Sequence, residues 1–123
     1  MGDYRPPPVS MGNVFYDEIE LPDTDRCWLF QRLHTYKEWI VDFCVELRLE
    51  GADGKHFPIE RVDCCHGEIH RHHFPANGPE RSDSLVDLHT GMRQQVTEEY
   101  YRAYDDIVDN SAYKVRQWRH GQV

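Results

Sequence analysis

The sequence predicts an α+β fold, an antiparallel β-sheet of about four to five strands in meander or hairpin order with a C-terminal helix packed on one face. Three observations predict it: a strict apolar alternation from Val41 to Leu49, glycine- and proline-rich reversals that follow, and a four-residue apolar repeat from Met92 to Ile107. Val41, Phe43, Val45, Leu47 and Leu49 are separated by Asp42, Cys44, Glu46 and Arg48, with Glu50 closing the run. That period of two marks a strand with one buried face. Gly51-Ala52-Asp53-Gly54 tolerates positive φ and predicts a hairpin reversal. Met92, Val96, Tyr100, Tyr104 and Ile107 recur at helical spacing, with Glu98, Glu99, Arg102, Asp105 and Asp106 on the solvated side.

The remaining elements follow in chain order. Residues 1–13, with Pro6 to Pro8 in succession, read as a flexible proline-rich arm. Phe15, Ile19 and Leu21 suggest a first strand over 14–21, closed by a Pro22-Asp23 turn. Residues 27–36 suit a strand, or two helical turns capped by Asp23 or Thr24; the strand is preferred. The return strand begins at Phe57 and is expected to run on to Phe74 through a bulge at Gly67. Pro75-Ala76-Asn77-Gly78-Pro79 ends it. Leu85, Val86 and Leu88 form one more strand or a lead into the helix, and Asn110 or Ser111 caps a last short helix through Trp118. A single domain over 14–118 and a loose tail over 119–123 result. From Tyr113 onward the chain carries Lys114, Arg116, Arg119 and His120 and no acid.

Composition narrows the function classes. The 123 residues suffice for one domain, and 22 acids against 14 Lys/Arg give a net charge of -8. That balance argues against a generic nucleic-acid coat and against a binder of anionic membranes. No apolar run approaches the ~18 residues of a membrane span, and the first residues show no signal-like apolar core. Cys27, Cys44, Cys64 and Cys65 lack ribbon spacing, and reduced thiols are expected. A cytoplasmic protein is the expectation.

The chemistry-bearing stretch is Arg61 to Phe74, which holds four of the eight histidines, His66, His70, His72 and His73. In an extended chain His66, Glu68, His70 and His72 share one face, with Cys64 just before them. Imidazoles on alternate positions can converge on one metal ion or on one phosphate. In the first use His66, His70 and His72, with Cys64 or Glu68, bind zinc or another transition metal. In the second, His70 and His72 act as general base and acid on RNA, without a cofactor, while Arg71 or Arg61 holds the phosphate. A solvated edge strand is the third use, since polar side chains discourage edge-to-edge pairing. His66-Gly67-Glu68 lacks the P-C-x-x-C partner of zinc deaminases, and the glutamate is misplaced for H-E-x-x-H.

Arg61-Val62-Asp63-Cys64-Cys65-His66-Gly67, followed by His70-Arg71-His72-His73-Phe74, resembles the histidine strand of TumE-like toxins from bacterial toxin–antitoxin modules. The order of hairpin, histidine strand, Gly/Pro turn and amphipathic helix is similar over residues 35–110. Val62 stands where that family usually has an aromatic, and Cys64 where it usually has asparagine. The resemblance implies a small bacterial toxin, an antitoxin as partner, and His70 and His72 as functional residues beside Arg61 and Asp63. A non-enzymatic metal- or protein-binding module is the alternative.

Overall fold

The computed structural model describes residues 2–7, 11–22, 26–65, 67–89 and 91–121. Six strands occur among them: β1 (Met11–Glu20), β2 (Arg26–Tyr36), β3 (Trp39–Glu50), β4 (His56–Cys65), β5 (Glu68–His73) and β6 (Arg81–Asp87). They form one antiparallel sheet in sequence order, a meander, followed by α1 (Arg93–Asp109) and α2 (Ser111–Arg119). The expected class holds with more strands than expected, and α2 is the short last helix expected through Trp118. The extra strand arises where a bulge was expected. β4 and β5 are separate strands paired antiparallel, Cys65 against Glu68, with Gly67 at a φ of 76° in the reversal. Positive φ is cheap only for glycine, and here it turns the chain instead of kinking it. The proposed Pro22-Asp23 turn and the Asp23 or Thr24 cap involve residues outside those described.

Alternation decides which side chains meet the helices. In β3, Val41, Phe43, Val45 and Leu47 are fully buried and Leu49 nearly so. On the neighbouring strand, Cys27, Leu29, Gln31 and Leu33 lie opposite Leu49, Leu47, Val45 and Phe43. Helix α1 covers this face with Val96, Tyr100, Ala103 and Ile107. Tyr100 meets Phe43 edge-on at 5.6 Å and donates its hydroxyl to Gln31 Oε1 at 2.5 Å. Fully burying a side chain such as Phe43 contributes about 1.5–3 kcal/mol. Toward the chain's start, Tyr4 is also part of this core: its hydroxyl donates to the Val41 carbonyl at 2.6 Å and its amide to Leu88 at 3.1 Å.

Helix α2 packs against β4. Trp118 Nε1 donates to the Phe74 carbonyl at 2.7 Å, which ties the helix to the residue after β5. Asn110 occupies the cap position, as expected, yet makes no capping bond to α2. Its side-chain amide instead donates to the Asp106 carbonyl, closing α1. Lys114 does not extend a basic surface patch. Its ammonium lies 2.9 Å from Glu60 and 3.1 Å from Asp106. No helix among the described residues is long and apolar enough to cross a membrane.

Candidate metal centre

The opposite face of the sheet carries no helix among the described residues, and its chemistry differs. It is built from the even positions of β3, from Arg61 and Asp63 of β4, and from Glu68, His70 and His72 of β5. The β4–β5 register sets Asp63 opposite His70 and Arg61 opposite His72. Cross-strand neighbours lie about 4.5–5.5 Å apart and diagonal ones about 7–8 Å, within reach of long side chains. Asp63 Oδ1 lies 3.2 Å from His72 Nε2, and the His70 and His72 rings are 5.8 Å apart in a T-shaped pair. One ligand atom from each of Asp63, His70 and His72 lies within 4.8 Å of the others. Two ligands about 2.1 Å from a common tetrahedral ion are themselves about 3.4 Å apart, so the Asp63–His72 separation already has coordination length.

Carboxylates surround the imidazoles. Glu68 Oε2 lies 2.5 Å from His70 Nε2, and Glu80 Oε2 lies 3.0 Å from His72 Nδ1. His70's hydrogen bond holds the Glu68 carboxyl below its usual range. Arg61 spans Asp63, at 3.0 Å, and Glu46, at 3.4 Å, with its guanidinium over Phe74. Burial alone would lower the Arg61 pKa, but Asp63, the Cys44 thiol and Glu46 outweigh it and raise it. Glu46 is buried, which raises its carboxyl pKa against the pull of Arg61. Arg48 Nε also reaches Glu46, at 2.5 Å, and its guanidinium lies over the Phe30 ring. An unbroken chain of polar contacts thus runs from Arg48 through Glu46, Arg61 and Asp63 to His72 and Glu80. It leaves the histidines in a field dominated by carboxylates, with the nearby guanidinium already paired.

Of the residues singled out in the sequence, Asp63, His70, His72 and Arg61 come together, and Glu68 joins them through His70. Arg71 does not. Strand alternation turns it to the helix-covered face, where it lies 3.3 Å from Asp106 and 3.9 Å from Glu60. Cys64 likewise packs against the core, and burial pushes its thiol pKa up. Cys44 and Cys64 are free thiols, as expected. His66 lies outside the described residues. Glu46 and Glu80 were not foreseen; only pairing across three strands and the β5–β6 connection brings them here. Comparison of the chain with protein-family models, with curated proteins and with solved structures finds no match.

Proposed function

We propose that this protein binds a divalent transition-metal ion, zinc or a near equivalent, through Asp63, His70 and His72 on the open face of its sheet. The observation that carries this reading is the convergence of those three ligands amid further carboxylates. Two imidazoles and a carboxylate suit a borderline metal, and three protein ligands leave a position for water or substrate. Outer carboxylates also orient ligating imidazoles. Glu80 does so for His72 through the ring nitrogen that Asp63 does not face. Metal content of untagged protein, together with cobalt(II) absorption, tests the reading. Stoichiometric binding by the wild type and its loss in His70→Ala/His72→Ala are expected; equal binding by both proteins contradicts it.

A second reading is acid–base cleavage of RNA by a toxin-like protein with an antitoxin partner. It is favoured by one feature: each imidazole has its own carboxylate, Glu68 for His70 and Asp63 for His72. Such pairs orient a general base and a general acid. The carboxylate-rich surroundings oppose phosphate binding, which depends on free cationic groups, and Arg61 is already engaged. RNA cleavage that resists EDTA and vanishes in the same double mutant would select this reading over the metal centre.

A further inference from the structure

On the helix-covered side, α1 packs over β3. An open groove of about 450 Å³ remains between α1 and the first two strands. Its helix wall is Tyr100, Tyr101, Tyr104 and Asp105, and its sheet wall includes Phe15 and Asp17. The sequence dictates both walls. Residues 101, 104 and 105 share a helical face, and residues 15 and 17 share a strand face. The Tyr101 ring meets Tyr100 edge-on at 5.0 Å, while Tyr104 lies 6.1 Å from Tyr100 at a tilt. Tyr100 is held by its hydrogen bond to Gln31. Tyr101 and Phe15 are about half exposed, at 56% and 44%. No lysine or arginine lines the groove among the described residues.

We infer that this groove binds a small quaternary ammonium compound, its cationic head against the tyrosine faces and its charge complemented by Asp17 and Asp105. Ring faces carry negative potential and attract a cation within about 6 Å of their centroids. Two carboxylates add to that field, with no Lys or Arg among the described lining residues. A quaternary head sheds water more readily than the strongly hydrated ammonium of a lysine, so it gains most from rings that displace its solvent. The volume lies within the ~300–1,000 Å³ of small-molecule sites. The groove lies on the other face of the sheet from Asp63, His70 and His72, and the inference does not depend on metal binding.

The test uses the full chain, choline as the probe and 3,3-dimethylbutan-1-ol as its uncharged isostere. NMR follows the ring resonances of Tyr101 and Tyr104. Choline is expected to give saturable shifts, with the isostere about tenfold weaker, as cation–π attraction and charge both vanish. Tyr101→Leu keeps an apolar wall and is expected to weaken choline binding about fivefold. Equal binding of choline and the isostere would reduce the groove to a hydrophobic surface and overturn the inference. So would the absence of any saturable shift with choline, or an unchanged affinity in Tyr101→Leu.

Discussion

The two faces of the sheet are made by the same strands and carry different side chains. On β5, Ile69 points into the core, while Glu68, His70 and His72 point to the open face. On β3, Phe43 and Leu47 meet the helix-covered core, whereas Glu46 and Arg48 belong to the chain of polar contacts. Each face nevertheless contains a buried carboxylate met by two cations: Glu46 with Arg48 and Arg61, Glu60 with Lys114 and Arg71. The difference lies in what covers them. A helix covers Glu60 through Lys114, whereas among the described residues side chains of the strands cover Glu46. The hydrophobic core belongs to the covered face, and the proposed metal centre to the open one.

Substitution on each face can break that division. The largest expected effect is in the core. Phe43→Ala should destabilise by about 3–5 kcal/mol, from lost burial and the cavity left behind, measured by denaturant unfolding. Metal affinity of the fraction that stays folded should be unchanged; a parallel loss would show that the faces are not separable. Next comes the chain of polar contacts. Arg61→Met removes a cation between Glu46 and Asp63 and should cost about 1–3 kcal/mol by leaving Glu46 underpaired. It should not weaken metal binding, because the removed charge repels a cation. Weaker binding with an unchanged fold would instead make Arg61 part of the site.

The smallest effect is a pH slope on the covered face. Burial holds the His73 pKa below its usual range, against the pull of Glu60, with Arg71 and Arg81 adding to the lowering and Asp83 opposing it. The unfolded chain takes up this proton near about pH 6.5, where the folded chain still resists it. Stability is therefore full above that pH and declines as pH falls from about 6.5 toward the lower folded value. His73→Gln should flatten this part of the stability profile. A profile unchanged by the substitution would assign the slope to other groups.

Much of this division was legible in the sequence. The alternation of β3 named the buried set, because one missed step would have put five apolar residues in water. The same period also places Arg71 away from His70 and His72, so its proposed role on phosphate conflicted with the strand that carries it. Asp63 was named beside His70, but the contact itself required knowing that the chain reverses at Gly67. With polar residues on both sides of the turn, a hairpin and a bulged strand look alike in hydropathy. Glu46 and Glu80 arrive by long-range pairing and leave no local signal. Tyr4, amid prolines and polar residues, gave none of its burial.

The most direct test of the metal centre is diffraction from crystals grown with zinc, recorded on either side of the zinc absorption edge. One anomalous peak about 2.0–2.2 Å from an Asp63 carboxylate oxygen and from a ring nitrogen of both His70 and His72 is predicted. Zinc bound only at other histidines, with Asp63, His70 and His72 retaining their mutual contacts, would contradict it.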